Sequence, residues 1–250
     1  MISLKSPRDI EGMRRAGRIA AEARSIAGRM IRPGVTTLEI DQAVRAYIEE
    51  QGATPSFLNY NGYPGSACIS VNDVVIHGIP GPLVLQEGDI VSVDVGAYIG
   101  GFHGDCAATF PCGQVSEEAA RLIAVTEQSF WEGMKFARPR CRVSDISHAI
   151  QSYVEAQGFS IVRDFVGHGV GKKLHEAPEV PNFGNPGHGP RLMAGMTLAV
   201  EPMVNTGAWQ VKVMPDGWTV RTTDGALAAH YENSILITTE EPEILTRVEE

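Results

Sequence analysis

The sequence lacks the features of several protein classes. It contains no uncharged apolar run of membrane-spanning length, and its first nine residues have no apolar segment of the kind found in signal peptides. Its 21 lysine and arginine residues are outnumbered by 30 acidic residues, and they form no cluster suited to phosphate binding. We therefore expect a cytoplasmic protein that does not enter a membrane and does not read nucleic acid directly.

Cysteine is also scarce. The four cysteines are Cys68, Cys106, Cys112 and Cys141, and no two of them have Cys-x-x-Cys spacing. That spacing would be expected in many structural zinc sites. We interpret the four residues as free thiols in a reducing compartment rather than as disulfides.

The remaining composition suits a large globular core. With 250 residues, 43% of them apolar, the chain can bury a full core, and its 27 glycines indicate many turns rather than a helical bundle. Capping residues followed by apolar residues at helical spacing predict four amphipathic helices. The first three are expected from Ser6 to about Met30, from Thr36 to Gly52 and from Ser116 through Phe130, and the fourth follows Arg138-Pro139 and ends before Gly158. The arginines of the first helix are expected to face solvent.

The chain contains an internal duplication. When residues 32–52 are laid on residues 138–158, eight of 21 positions are identical. Average composition would give about one or two identities. The halves, about 1–112 and 113–250, are therefore predicted to be related copies within a single domain that spans residues 1–250.

Residues 88–110 predict an antiparallel hairpin, because two apolar arms flank Ile99-Gly100-Gly101. If the turn is centred between Ile99 and Gly100, Asp94 lies directly opposite Asp105. Like charges in that position destabilise a hairpin, and the segment contains no lysine or arginine. A shared proton, a basic neighbour or a divalent cation could compensate. The alternative is a loosely paired hairpin whose carboxylates face solvent.

The duplication extends to these acids. An offset of 107 places Glu201 on Asp94, and an offset of 127 places Glu232 on Asp105, which implies about 20 extra residues between the paired strands of the second half. A pseudo-twofold arrangement would bring the four carboxylates together. Because a bare cluster of four buried acids is electrostatically prohibitive, we expect it to bind metal.

The remaining candidate ligand is His168, which lies between two glycines. A lone histidine would more simply be a hydrogen-bonded core residue, but four acids favour a ligand. The helical His-Glu-x-x-His zinc motif is rejected at His175, because the fifth residue is Glu179 and Pro178 breaks the helix. One imidazole and four carboxylates suit a pair of Mn, Fe, Co or Zn ions, and such a pair activates water for hydrolysis.

Five segments of the chain resemble type I methionine aminopeptidases. They are residues 59–80, 101–105, 167–178, 195–202 and 230–233, and they occur in the family's order. The resemblance implies an α/β (α+β) pita-bread fold, with two pseudo-twofold-related halves that each contribute two helices and antiparallel strands. It implies a single catalytic domain, and it assigns metal ligation to Asp94, Asp105, His168, Glu201 and Glu232.

The resemblance also implies catalytic and substrate-binding roles. His175 would bind the substrate carbonyl and stabilise the oxyanion, and His77 would contact the peptide nitrogen or help to protonate the leaving group. These histidines occupy corresponding positions, since each is followed three residues later by proline. Glu201 would double as general base. The free α-amine of the substrate would bind one metal ion.

The methionine pocket implied by the resemblance consists of Tyr60, Tyr63, Cys68 and Trp218. Aromatic edges suit a thioether, and a narrow slot suits an unbranched side chain. For each aromatic residue alone, ordinary core packing is an equal alternative. Leu174 stands where several relatives have Phe or Met.

The expected function is removal of the initiator methionine from nascent or newly made polypeptides with a small second residue, through water activated by two metal ions. The ribosome is a candidate partner, and a monomer is the default. An X-Pro peptidase is the alternative within the same fold. A non-catalytic pita-bread binding protein is the alternative from another class, although such a protein would be expected to have lost ligands. His175 and Glu201 are 26 residues apart, which leaves no room for the extra helical subdomain of type II relatives.

Overall fold

The computed structural model describes residues 2–248. The helices are α1 (Pro7–Met30), α2 (Thr37–Glu50), α3 (Glu117–Met134) and α4 (Val143–Ala156), with a 3-10 turn at Tyr60–Gly62. The strands are β1 (Thr54–Pro55), β2 (Ala67–Val71), β3 (Val74–Ile76), β4 (Ile90–Ile99), β5 (Phe102–Pro111), β6 (Ser160–Ile161), β7 (Gly167–Gly169), β8 (Glu176–Val180), β9 (Thr197–Val200), β10 (Met203–Asn205), β11 (Val211–Val213), β12 (Val220–Thr222), β13 (Ala228–His230), β14 (Glu232–Leu236) and β15 (Glu243–Ile244).

All four predicted helices are confirmed, and local capping fixes the starts of α1 and α2. The Ser6 side chain accepts a hydrogen bond from the Asp9 backbone, and the Asp9 carboxylate accepts one from the Ser6 backbone in return. Thr36 and Glu39 form the same reciprocal arrangement at α2. The apolar face of each helix then determines which side of it is buried. No helix among the described residues is both long and apolar enough to span a membrane.

A nine-stranded antiparallel sheet forms the centre of the molecule. Its main path runs β1-β4-β5-β14-β9-β7-β8, with β2 also on β4 and β15 also on β14. The central pair is β5 and β14, flanked by β4 on one side and β9 on the other. This mirrored order agrees with the sequence duplication and with the expected two-part pita-bread architecture.

The hairpin of β4 and β5 is present, but its predicted register is wrong. Ile99 pairs with Phe102, so Asp94 lies opposite Ala107 rather than opposite Asp105. The reason is the turn, in which Gly100 and Gly101 both have positive φ, at 61° and 90°. Two such residues make a two-residue hairpin loop whose twist matches the strands. The shift is an even number of residues, so Asp94 and Asp105 stay on one face as diagonal neighbours.

The helices cover the face of the sheet opposite to the one that carries Asp94 and Asp105. Gly104 in β5 contacts α1 so closely that a Cβ there would lie 2.5 Å from the carbonyl carbon of Ala16. Cys106 points to this helix side and packs in the core with α1, as strand alternation predicts. The four cysteines are free thiols. Alternation therefore directs Asp94 and Asp105 away from the helices.

The expectation that the α1 arginines face solvent is wrong for Arg24. Its guanidinium is half-buried and donates hydrogen bonds to the carbonyl oxygens of Ala107 and Glu232 and to Asn233 Oδ1. These acceptors belong to the central strands β5 and β14. Arg24 therefore links the first helix to the middle of the sheet.

The extra residues of the second half form small sheets beside the central one. Strands β11 and β12 form a hairpin, and β12 pairs with β3 of the first half. The turn of that hairpin carries Trp218, and β3 ends directly before His77. The insertion therefore brings an aromatic residue of the second half to a histidine of the first.

Candidate active site

The duplication predicts four acids, and all four line one cavity. Asp94 and Asp105 come from β4 and β5, Glu201 follows β9, and Glu232 begins β14. His168 in β7 lines the same cavity, whose volume is about 350 Å³. Strands from both halves are needed to assemble this set.

The carboxylates surround the His168 imidazole. His168 Nε2 lies 3.8 Å from Asp105 Oδ2 and 3.6 Å from Glu201 Oε1. One ligand atom each from Asp105, His168 and Glu232 all lie within 4.8 Å of one another. The other ring nitrogen, Nδ1, is 2.8 Å from the Gly169 carbonyl oxygen. Because a carbonyl only accepts, Nδ1 carries the proton and Nε2 keeps a free lone pair.

Burial and mutual repulsion hold protons on these acids in the metal-free site. Burial, followed by repulsion from Asp105, raises the pKa of Asp94 well above its ordinary value. The pKa values of Glu201 and Glu232 are raised well above theirs by burial and by repulsion from neighbouring acids. Burial raises the pKa of Asp105 to about 7. The protein thus resists ionising a site that lacks a compensating cation.

The unpaired oxygens of the site fit a divalent metal. Asp94 Oδ1, Asp105 Oδ1 and Glu232 Oε1 are buried without a hydrogen-bond partner. The nearby Arg24 uses its guanidinium on backbone carbonyls and an amide rather than on a carboxylate. Of the three compensations considered for the hairpin acids, a cation is the one that these atoms fit, since hard oxygen donors with one imidazole suit divalent ions.

The two further histidines predicted for the site also line the cavity. The His175 ring centroid lies 4.1 Å from that of His168, and its Nδ1 is 2.8 Å from the Tyr60 hydroxyl. Burial lowers the pKa of His175. Burial and the nearby His175 lower the pKa of His77 to about 4. Both imidazoles are therefore neutral near pH 7. The φ of His77 is 57°, an uncommon backbone conformation outside glycine that concentrates at functional sites.

An apolar wall continues the cavity away from the acids. Tyr63 and Cys68 are buried with Phe57 and Leu174, and Trp218 contacts Tyr63 in a T-shaped arrangement with ring centroids 5.2 Å apart. Tyr63 donates its hydroxyl to backbone carbonyl oxygens, at 3.1 Å from Ala67 and 2.9 Å from Gly78. A slot of this kind accepts an unbranched apolar side chain, and its aromatic edges favour sulfur.

All of the predicted site residues lie on this one cavity. They are Tyr60, Tyr63, Cys68, His77, Asp94, Asp105, His168, His175, Glu201, Trp218 and Glu232. Sequence reasoning did not identify Phe57 and Asn61, which also line it, nor His230 behind it. His230 Nε2 is buried, has no hydrogen-bond partner, and lies 3.7 Å from Glu201 Oε2. His230 aligns with His103 in the repeated segment, and this alignment was the sequence signal that could have identified it.

Comparison with known proteins agrees with this geometry. The model of metallopeptidase family M24 matches residues 11–239. The chain is 56% identical over 248 residues to methionine aminopeptidase of Clostridium perfringens, covering 99% of this chain and 100% of that protein. It is 52% identical over 248 residues to methionine aminopeptidase 1 of Bacillus subtilis, with the same coverage.

Solved structures extend the likeness to three dimensions. The crystal structure of methionine aminopeptidase from Thermotoga maritima has a TM-score of 0.97 and 46% sequence identity, covering 99% of this chain and 100% of that chain. Prolidase from Pyrococcus furiosus has a TM-score of 0.81 at 21% identity, covering 99% of this chain and 66% of that chain. The second likeness concerns the fold alone.

Proposed function

The chain belongs to metallopeptidase family M24, and we propose that it removes the N-terminal methionine from polypeptides whose second residue is small. The observation that carries the proposal is the single cavity in which a metal-type ligand set adjoins an apolar aromatic slot. A metal site alone would suit any member of the family. The slot, together with full-length similarity to methionine aminopeptidases, favours methionine.

The proposed ligands are Asp94, Asp105, His168, Glu201 and Glu232, and the proposed cofactor is a pair of divalent ions, Co, Mn, Fe or Zn. When bound, such a pair supplies Lewis acidity that activates water and attracts the free α-amine of the substrate. The fixed tautomer of His168 supports this assignment, because its Nε2 lone pair faces the acids.

The chain's own residues would move the protons. Glu201 would take a proton from the attacking water as general base. His175, whose lowered pKa favours the neutral imidazole, would donate a hydrogen bond to the scissile carbonyl oxygen, where negative charge develops. His77 would contact the peptide nitrogen and help to protonate the leaving amine. Tyr60, Tyr63, Cys68 and Trp218 would hold the methionine side chain and keep water from it.

We extend the proposal to the whole chain and its setting. Because strands of both halves supply the acids, residues 1–250 would act as one catalytic domain rather than as two separate units. The partners would be the N-termini of nascent or newly made polypeptides in the cytoplasm, with the ribosome as a candidate docking partner and a monomer as the working state. A second residue with a bulky side chain would clash before the scissile bond reached the acids.

The test measures release of free methionine from Met-Gly-Met-Met and from a peptide that begins Met-Pro. Metal-stripped protein should be inactive, and added Co or Mn should restore activity. Glu201→Gln should lower the restored rate by about 10²- to 10⁴-fold, since it removes a general base and one ligand charge. The matched control is Glu240→Gln, which changes an exposed glutamate in the same way.

Two outcomes would contradict the proposal. If folded protein released no methionine with any divalent metal, the peptidase assignment would fail and a binding protein would remain. If it instead cleaved peptides only before proline, whatever their first residue, the X-Pro alternative would replace it.

A further inference from the structure

The Tyr60 hydroxyl contacts His175, not the protein backbone. Tyr60 Oη lies 2.8 Å from His175 Nδ1, and the two rings stack with centroids 5.3 Å apart and planes inclined by 28°. Tyr63, the other tyrosine of the cavity, instead donates its hydroxyl to two backbone carbonyls. The two tyrosines therefore differ in what their polar ends do, although both line the same cavity.

The backbone holds Tyr60 in place. Its neighbours Asn59 and Asn61 have φ of 64° and 50°, which is unusual for residues other than glycine. Asparagine enters this left-handed region more readily than other non-glycine residues, which suits both positions to a tight turn. Backbone hydrogen bonds join Tyr60 N to Phe57 O at 2.9 Å and Tyr63 N to Tyr60 O at 3.0 Å. The hydroxyl is therefore presented to the imidazole by an ordered turn.

The partner of Nδ1 decides which nitrogen of a neutral imidazole carries the proton. At His168 the partner is the Gly169 carbonyl, which only accepts, so the proton is on Nδ1. At His175 the partner is a phenol, whose O–H can donate to an unprotonated Nδ1. The two imidazoles, with centroids 4.1 Å apart, would then be opposite tautomers: His168 with a bare Nε2 and His175 with Nε2–H.

We propose that Tyr60 is a positioning residue whose hydroxyl holds His175 in the Nε2–H tautomer, so that Nε2 can donate to the carbonyl oxygen of the scissile peptide. The proposal deepens the function proposed above and rests on it. With the opposite tautomer, Nε2 would offer a lone pair to that oxygen and repel it. A pocket wall alone would need the tyrosine ring but not its hydroxyl.

The first test reads the tautomer directly. Protein labelled with ¹⁵N at histidine is observed by two-bond ¹H–¹⁵N correlation, metal-free and with diamagnetic zinc, and a His175→Gln variant assigns the signal. In the unchanged protein, His175 should carry its proton on Nε2. Tyr60→Phe keeps the ring but should convert His175 to a mixture of tautomers. Tyr63→Phe, the matched control, should leave the His175 pattern unchanged and lower the melting temperature instead.

The second test separates positioning from binding. Tyr60→Phe should lower kcat for Met-Gly-Met-Met roughly 10- to 100-fold, the size of effect seen when the hydrogen-bond partner of a metal-bound histidine is removed, with KM little changed. A rise in KM at constant kcat would mean that Tyr60 serves only as a pocket wall, and would overturn the proposal.

The histidine ¹⁵N spectrum distinguishes a failure of the Tyr60 proposal from a failure of the proposed function. A proton on Nδ1 of His175 in the unchanged protein, or a single Nε2–H tautomer that survives in Tyr60→Phe, would overturn the role of Tyr60 while methionine release remained intact. Absence of methionine release by the unchanged protein with every metal would overturn the proposed function, whatever the tautomer.

Discussion

Lys5 forms a buried ion pair beside the proposed active site. Its Nζ lies 2.7 Å from Glu176 Oε2, and the two side chains are only 5% and 14% exposed. Glu176 directly follows His175, and its other carboxylate oxygen accepts a hydrogen bond from the Lys173 backbone at 3.1 Å. Burial alone would raise the pKa of Glu176, but the hydrogen bonds from Lys5 and Lys173 outweigh it and lower the pKa. The pair therefore anchors the segment that presents His175.

Lys5→Met should lower the free energy of unfolding by about 3 kcal/mol, because it leaves the Glu176 carboxylate buried and without its cation. The control is Arg45→Met, which removes an ion pair of similar length, 2.8 Å to Glu49, whose side chains are each half exposed. That change should cost no more than about 0.5 kcal/mol. Urea unfolding of the metal-loaded protein measures both. Equal losses in the two variants would show that the Lys5 pair behaves as a surface pair.

Sequence reasoning could not predict the buried contacts of Lys5, Arg24 and His230. The acids and His168 follow from repeated positions and local spacing, so the sequence alone was enough to find them. The burial of a lysine near the chain start, or of one arginine among several on α1, depends on long-range packing that no local pattern records. The hydrogen bond between Tyr60 and His175 joins residues 115 positions apart and was invisible for the same reason.

At the scale of elements, helices were easier to predict than strand register. Capping boxes are local, and both Ser6 and Thr36 start their helices as expected. The register of β4 on β5 depends on which turn Ile99-Gly100-Gly101 forms. Composition permits more than one turn, and the positive φ of both glycines decides it only in the folded chain. The acids kept their common face because the shift was even.

Contact between α1 and β5 depends on the absence of a side chain at Gly104. A Cβ there would lie 2.5 Å from the Ala16 carbonyl carbon and from the Gly17 nitrogen, both backbone atoms of α1. Gly104→Ala should therefore push the helix away and lower the free energy of unfolding by about 1–3 kcal/mol, as overpacking does.

The matched control for Gly104→Ala is Gly81→Ala. A Cβ added at Gly81 would have no heavy atom within 4 Å, and the backbone there has no positive φ. Its backbone hydrogen bonds with Thr37 would also remain. This change should be neutral or stabilising by about 0.4–1 kcal/mol. Chemical denaturation measures both variants, and a loss at Gly81 as large as that at Gly104 would contradict the close-contact explanation.

For the whole molecule, the duplication places charge at the junction of its two halves. Asp94 and Asp105 come from one half, Glu201 and Glu232 from the other, and the pairing of β5 with β14 brings them together. Each half alone would carry two acids at an unpaired sheet edge. Folding the halves together therefore creates both the site and the repulsion that a cation must offset.

This repulsion predicts how the stability of metal-free protein changes with pH. The folded pKa is about 7 for Asp105 and well above the ordinary value for Asp94, Glu201 and Glu232, so the folded state keeps protons that the unfolded state loses near pH 4. Each retained proton makes stability fall with rising pH by about 1.4 kcal/mol per pH unit.

Buried histidines change the stability in the opposite direction. The folded pKa is about 4 for His77 and His168 and about 3 for His230. Their contribution to the free energy of unfolding therefore rises with pH until the pH passes the pKa of an unfolded histidine, near 6.5, and is constant above it.

The two effects oppose each other below about pH 6.5. Above it the acids act alone until, towards pH 8.5, the buried thiols of Cys68 and Cys106, whose pKa values are raised by burial, begin to act in the same direction as the acids. The melting temperature of metal-free protein should therefore fall between pH 6.5 and pH 8.5, because the raised carboxyl pKa values favour folding only while the protons remain. Metal binding requires ionised carboxylates, so the stabilisation by added Mn should grow over the same interval. Calorimetry across this range tests both trends, and Asp94→Asn should flatten the metal-free slope while Glu240→Gln should not. A metal-free melting temperature that rises from pH 6.5 to 8.5 would contradict the view that the acids are destabilised by their own proximity.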